Sequence, residues 1–473
     1  MIIMNKSFLY LSVLLASGCG TLIKSEYIPP AITYPAHWKQ AEADAAGETA
    51  IFDWHSFAGQ QLEQWLTLVE AKNSSVALAI LQVYQAELRA EQAGLALAPS
   101  FSVSASTGLT ADKALSGSYD RSRNDDARAM ARVSYEADLW GKLARQQDVA
   151  EWQRQASEED LASARLILLR RAAENYWTLA LLGQQIEVSK LSLDYTKEIL
   201  RQTQVRYRSG SISGLDVISA QQSVLSQENA LRTLHQLRQQ ALNEQSVLLG
   251  APPGQTVVIP SRLSDTPLPQ VRPDIPVSVL SRRPDIRSAE LGLRSALAEV
   301  DIRRADYYPS FSLTGNLGGS SHQLLEFLRN PLASLSAVLT LSPLDFRKKD
   351  LDIRLARNNY EQQTVKFRQE LYNAMASLDN ALTRRQLLIT EEVHLRETLE
   401  LAKKSEQINA VRYRNGAVMI TDWLSAQENR RRAELNIAQN RYNQLSTMMV
   451  IWLETGGDPA NKTINKLTST PDN

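Results

Sequence analysis

The sequence predicts a mixed α and β membrane protein, built twice over from one unit in which long helices alternate with pairs of β-strands. Val205 to Gln221 reads VRYRSGSISGLDVISAQ and Val411 to Gln427 reads VRYRNGAVMITDWLSAQ, nine identities at a constant offset of 206 positions. A second pair, PSFS at Pro99 to Ser102 and at Pro309 to Ser312, lies 210 positions apart, so whole halves are duplicated and not one motif. Each PSFS opens a segment of period-two alternation, and each such segment is followed by a run of helix formers too long for a compact globule.

At the amino terminus, Lys6, the apolar run Phe8 to Ala16 and the small residues Ser17 and Gly18 predict a signal peptide over residues 1–18. The single cysteine, Cys19, stands at the cleavage point, so the segment resembles a bacterial lipoprotein signal with Cys19 as the lipidated, palmitate-bearing first residue of the mature chain. Ala16 departs from the larger aliphatic residue usual three places before such a cysteine, and Gly20 in place of an aspartate goes with sorting to the outer membrane. Residues 19–50 form a proline-bearing lead. One cysteine excludes an internal disulfide. With 52 basic and 52 acidic residues, net charge gives no reason to expect nucleic acid or a polybasic membrane footprint. After the signal no stretch reaches the roughly 20 apolar residues of a transmembrane helix. A membrane would have to be entered by strands.

Phe101 to Thr110 is apolar at every odd position and small or polar at nearly every even one. Ala127 to Asp138 continues the pattern, with Ala129, Ala131, Val133 and Tyr135 on one face and Arg128, Arg132, Glu136 and Asp138 on the other. In the second half Phe311, Leu313 and Leu317 alternate with Ser312, Thr314 and Asn316, and Leu335, Ala337, Leu339 and Leu341 alternate with Ser334, Ser336 and Thr340. Two matching hairpins follow, at about 100–138 and 310–342, with strands of about 10 residues, the length of a tilted membrane strand. A half-buried soluble sheet has the same alternation, and the secretion signal favours the membrane. Four strands cannot close, since bacterial barrels start at about eight and an open edge in lipid leaves backbone groups unsatisfied. Several copies must then share one barrel, two giving eight strands and three giving twelve.

The remainder reads as helix. Lys142 to Leu182 holds neither glycine nor proline and would run about 60 Å. Ile218 to Leu249, Ile353 to Asn415 and Leu424 to Leu453 show apolar residues three and four apart, as in coiled-coil packing. Seven of the 17 prolines fall between Pro252 and Pro276, so residues 251–280 read as an extended connector between a first repeat over 51–250 and a second over 281–455. Residues 456–473 form a polar tail.

The proline-rich lead after Cys19, the run with Trp54, Phe57, Leu62, Leu66 and Asn73, YEADLWGK at Tyr135 to Lys142, RRPDI at Arg282 to Ile286 and YYPSFSLTG at Tyr307 to Gly315 together resemble the outer-membrane factor (TolC-like) family, in its lipoprotein branch of efflux subunits. The resemblance covers nearly the whole mature chain. It implies a homotrimer whose 12-stranded outer-membrane β-barrel continues into a long periplasmic barrel of coiled-coil helices. It implies passage and not chemistry: an exit duct of a tripartite pump, fed by an inner-membrane transporter through a periplasmic adaptor, without a cofactor. The residues agree on the negative side. His37, His55, His235, His322 and His394 lack metal-ligand spacing, and there is neither a thiol nucleophile nor a phosphate loop. Other readings are a passive porin, which has no use for such long helices, and a structural lipoprotein, which has no use for lipid-facing alternation.

The repeated RYR-G phrase reads as a helix-turn-helix tip, with Gly210 and Gly416 suited to a left-handed C-terminal cap and Asp216 and Asp422 in the first turn of the next helix. Ser213 and Asp216 have capping-box spacing, which accounts for that acid without any further role. The resemblance adds a gate: the tips close the tunnel like an iris, Asp422 matches an acidic ring at the constriction, and Asp216 matches a position tying helices together in the closed state. It brings Arg412, Tyr413 and Arg414, and their repeat counterparts Arg206 and Tyr207, in as gate partners. Where the family often has a second acid one turn on, this chain has Ser425, matched by Ser219 in the first copy, so a double acidic ring is not expected. The turns Ser209 to Ser213 and Asn415 to Met419 would also receive the adaptor.

Overall fold

The computed structural model describes residues 23–31, 59–111, 123–255, 259–269, 271, 277–321, 331–341 and 345–457; the signal peptide, Cys19, His37, His55 and His322 lie outside them, as does the polar tail beyond Gly457. In chain order the elements are α1 (Gln60–Lys72), α2 (Ser74–Leu95), β1 (Ser100–Ala111), β2 (Arg123–Ala137), α3 (Lys142–Arg208), α4 (Gly214–Leu248), a short 3-10 turn (Val277–Arg282), α5 (Pro284–Ala305), β3 (Ser310–Ser321), β4 (Pro331–Thr340), α6 (Phe346–Arg414) and α7 (Ile420–Glu454). The duplication is a duplication of elements. α4 and α7 are both 35 residues long with bounds offset by 206, and β1 and β3 are both 12 residues long with bounds offset by 210. Among the described residues no helix is long and apolar enough to cross a membrane.

Two compact units divide the chain. One holds Leu81–Glu159 and Ser288–Gln369 with the leading segment, and the other holds Asp160–Arg287 and Glu370–Asn473 with the stretch that includes α1. The first unit contains one antiparallel sheet in the order β1-β2-β3-β4. Its register aligns the alternation of all four strands. Ser102, Arg132, Asn316 and Ser334 make one row, and Val103, Ala131, Leu317 and Ala333 make the next. The polar row is bonded across the strands, Arg132 Nε donating to Asn316 Oδ1 at 3.0 Å and Asn316 Nδ2 to Ser334 Oγ at 3.3 Å. A slip of one residue would send each apolar side chain to the polar face, so pattern and register hold each other. Gly318 is required where β3 meets β2, because a Cβ there would overlap the Ala129 carbonyl oxygen and lie 3.0 Å from Met130 Cα.

In the second unit the core gathers Leu62, Trp65, Leu66 and Val69 of α1 with Leu179 of α3 and Leu445, Met448 and Met449 of α7, all nearly without solvent contact. Trp65 Nε1 donates to the Ala172 carbonyl at 3.0 Å, which satisfies the one polar atom of a buried indole. Asn73 holds two helix ends: its Oδ1 accepts from Ser75 N at 2.9 Å at the start of α2, and its Nδ2 donates to Leu248 O at 2.8 Å at the end of α4. α3 runs unbroken from the glycine-free stretch Lys142 to Leu182 through Gly183 to Arg208, ending just before the tip glycine as the repeat phrase predicts. A Cβ on Gly183 would stand 3.5 Å from Ser261 O, in ordinary van der Waals contact with the connector. The connector residues 259–269 form no helix or strand. Arginines serve their carbonyls instead, Arg441 donating to Ser264 O at 2.8 Å and to Thr266 O, and Arg385 to Pro269 O at 3.2 Å. Beyond it, Arg283 of RRPDI pairs with Asp285 at 2.7 Å and with Glu454 at the end of α7; both Arg283 and Glu454 side chains are 11% exposed.

Two outcomes follow. Arg283→Met leaves the Glu454 carboxylate buried and unpaired, and should cost about 3–5 kcal/mol in denaturant unfolding of the second unit. Gly318→Val should remove the oligomer that resists unheated dodecyl sulfate on a gel, whereas Gly292→Ala, whose Cβ would meet nothing within 4 Å, should keep it.

Candidate functional site

Both tips are closed by the same backbone device. Gly210 (φ 77°) and Gly416 (φ 74°) take the left-handed conformation that glycine adopts without strain. Ser211 N donates to Arg206 O at 2.9 Å and Gly210 N to Tyr207 O at 2.9 Å; Ala417 N donates to Arg412 O at 2.9 Å and Gly416 N to Tyr413 O at 3.0 Å. These are two Schellman motifs, and they satisfy the last carbonyls of α3 and α6 identically.

The starts of the following helices differ. Ser213 caps α4 in a capping box, its Oγ accepting from Leu215 N at 3.1 Å while Asp216 Oδ2 accepts from Ser213 N at 3.2 Å. At the corresponding place in the second tip stands Met419, which makes no side-chain cap. Asp422 thus has no reciprocal serine. Its side chain is exposed, and among the described residues no hydrogen bond or ion pair engages its carboxylate. Asp216 is half-buried and occupied with capping, and Asp422 is not. Ser219 is half-buried and Ser425 exposed, each one turn beyond its aspartate.

The expected partners divide as well. Arg412 and Arg414 are exposed, and Tyr207 is 52% exposed with its ring against the flat side of Gly214. Tyr413 is 6% exposed and lies inside the tip, where its ring meets the Trp423 ring at 5.4 Å and carries the Arg206 guanidinium 4.9 Å above it. Within one chain, among the described residues, none of Arg412, Tyr413 and Arg414 pairs with Asp216, whose carboxylate turns back to Ser213. Trp423 was not among the residues the sequence singled out. Together with Ile199, Ala220, Ala410 and Ile420 it forms the buried core of the tip, and Tyr195 meets it edge-on at 6.0 Å. Its signal lay in the repeat, where the first copy has Val217 at the matching position. Nearby, burial pushes the Glu406 carboxyl above the ordinary carboxylate range against the pull of Arg430 at 3.0 Å. Among the described residues no cluster of His, Cys, Asp and Glu fit to hold a metal occurs.

A model of the outer membrane efflux protein family matches residues 65–251 and 275–449, one stretch for each repeat and together more than half of the chain. The chain belongs to the outer membrane efflux protein family. The pyoverdine export outer membrane protein OpmQ of Pseudomonas aeruginosa is 27% identical over 454 residues, covering 94% of this chain and 95% of that protein. Among solved structures, the Campylobacter jejuni CmeC outer membrane channel superposes with a TM-score of 0.82 at 21% identity, over 92% of this chain and 94% of that one. The Neisseria gonorrhoeae MtrE outer membrane channel in its open state superposes at 0.78 and 20% identity, over 92% and 97% of the two chains. The fold is that of these outer-membrane channels, an α-helical barrel joined to a β-barrel, with three chains to the barrel and four strands from each. The family places the chain in the outer membrane, extending into the periplasm.

Replacing Trp423 by alanine empties the tip core, at a cost of about 3–5 kcal/mol. The tips carry their own trypsin sites at Arg208 and Arg414, so Trp423→Ala should raise cleavage there more than tenfold, by about the opening free energy lost. Glu406→Gln, which cannot ionise, should lower cleavage at pH 7 and leave it unchanged below the carboxylate range. The raised pKa of Glu406 means that its ionised form costs stability, a cost that appears as pH rises through the carboxylate range and is absent below it.

Proposed function

We propose that this protein is the exit duct of a tripartite efflux system, and not an enzyme: three copies form a channel that takes small molecules from an inner-membrane transporter, through a periplasmic adaptor docked at the helix tips, to the exterior. The observation that carries the reading is the pair of tips, alike in backbone and unlike in their acids. A carboxylate engaged in a cap serves its own helix, whereas an exposed, unengaged one at a helix start is available to the lumen. Three copies of Asp422 would make a ring that admits and binds cations, and this is the constriction of an iris gate in which Asp216 and the Arg206, Tyr207, Arg412, Tyr413 and Arg414 set hold neighbouring helices. The open state recorded for MtrE supports a gate that moves. OpmQ by its name exports pyoverdine, and the reading leaves the choice of cargo with the transporter.

Lipidation of Cys19 belongs to the same proposal. Ser25 is held by its N–H and hydroxyl to Asp301, at 2.8 and 2.6 Å, and Arg304 donates to Ser25 Oγ at 3.2 Å. Asp301 and Arg304 lie in the last turns of α5, just before β3. This clasp holds the described start of the lead, a few residues after the lipidation site in sequence, to the end of the helix that leads into β3.

In planar bilayers Asp422→Ala channels should lose most of their block by a trivalent cation on the periplasmic side, and Ser425→Asp should strengthen it by adding a second ring. Unchanged block in both, in channels that still assemble, would remove the gate. Retention of a fluorescent efflux substrate should rise in cells lacking the protein and return to normal with the wild type; a porin or a purely structural lipoprotein would leave it unmoved.

A further inference from the structure

The two hairpins leave the sheet at one level. Ala137 near the exit of β2 and Leu339 near the exit of β4 are both register partners of the same residue, Phe311 of β3. These are the ends that continue into helices, so they mark the periplasmic rim. Aromatic residues collect there: Trp140 donates through Nε1 to Pro309 O at 2.7 Å, and its ring meets that of Tyr308 at 4.9 Å. Tryptophan and tyrosine favour headgroup depth, where one side of the ring is apolar and the other wet.

Around the first exit charge is balanced. Lys142 pairs with Asp306 at 2.7 Å, Arg303 reaches the same carboxylate at 3.2 Å, and Asp138 accepts from Ala144 N at 2.8 Å. At the second exit the basic side chains have no ion-pair partner among the described residues. Phe346 opens α6 with 74% of its surface exposed and is followed by Arg347, Lys348 and Lys349. Arg347 and Lys348 are exposed, and Lys349 Nζ stands 5.5 Å from the Tyr308 ring centre. The nearby acids are otherwise engaged: Asp345 accepts from Lys348 N at 2.9 Å, Asp350 pairs with Arg354 at 2.9 Å, and Asp352 accepts from the Tyr307 hydroxyl at 2.7 Å. Among the described residues no carboxylate pairs with any of the three cations, and the start of α6 adds its own partial positive charge.

We infer that Phe346, Arg347, Lys348 and Lys349 form a docking surface for the anionic headgroups of phospholipids in the periplasmic leaflet of the outer membrane. Charge complementarity and continuity with the membrane-spanning sheet select this occupant. Phe346 enters the boundary of the acyl chains while the three cations meet phosphates, the arrangement by which juxtamembrane basic clusters take anionic lipid. The inference rests on the sheet lying in the membrane and not on the gate, so either can fail alone.

The test uses the full-length protein in detergent, freed of lipid and titrated with phosphatidylglycerol or phosphatidylcholine, with bound lipid counted by native mass spectrometry. The wild type should retain phosphatidylglycerol about tenfold over phosphatidylcholine at low salt, a preference that shrinks as ionic strength rises. The triple variant Arg347→Gln, Lys348→Gln, Lys349→Gln should bring the ratio to near parity. Lys348→Gln alone, at an exposed position that leaves assembly intact, should lower it severalfold. Lys403→Gln, Lys404→Gln, Arg432→Gln removes the same charge away from the sheet and should change nothing. Equal retention of both lipids by the wild type, an unchanged ratio in Lys348→Gln, an equal loss in the control variant, or displacement of the lipid by equimolar inorganic phosphate would each overturn the inference.

Discussion

A strand edge inside a bilayer has no water to bind its amides and carbonyls, and each unmet group is expensive. β1 and β4 are the outer strands of the sheet, and the rows that run across it, Ser102 through Ser334 and Val103 through Ala333, stop at both edges. Closure must therefore come from further copies. The trimeric barrel of the family is one solution to that constraint, and the helices that continue from every strand inherit its symmetry.

Duplication meets the same constraint within one chain. Each repeat supplies one hairpin, one very long helix, one tip and one 35-residue return helix, and the offset of 206 holds from Arg208 to Leu248 against Arg414 to Glu454. Even the closing glycines match, Gly250 and Gly456 each with positive φ and each followed by the same pair of backbone bonds. Identity of backbone makes the differences informative. Ser213 against Met419 changes an aspartate from capping group to unengaged carboxylate, and Val217 against Trp423 changes a small apolar contact into the centre of a buried cluster. Nearly equal helices can thus pack with different partners and leave one acid of the two exposed and unengaged.

Overall neutrality conceals local imbalance. The chain carries 52 charges of each sign, and along the helices a number of them are matched in pairs three or four residues apart, which contribute little each. Against that background the run Arg347, Lys348, Lys349 stands out by position, at the level where the polypeptide leaves the membrane. Composition averages over the chain, and the register of three strands is needed to put these residues beside Trp140 and Tyr308.

The sequence by itself determined the elements. Period-two alternation set the strands and the face each side chain takes, because a pleated strand in a membrane must separate apolar from polar at every step. The repeated glycine phrase set the tips, because only that residue turns left-handed without strain. What it left open has one cause: distant segments act where local propensity is silent. Trp423 reads as one more apolar residue and is the core of the tip, since Tyr195, Tyr413 and Ile199 come to it from two other helices. Asp216 reads as a capping-box acid from the spacing of Ser213, and the tertiary structure adds that its carboxylate is engaged there while that of Asp422 stands in solvent.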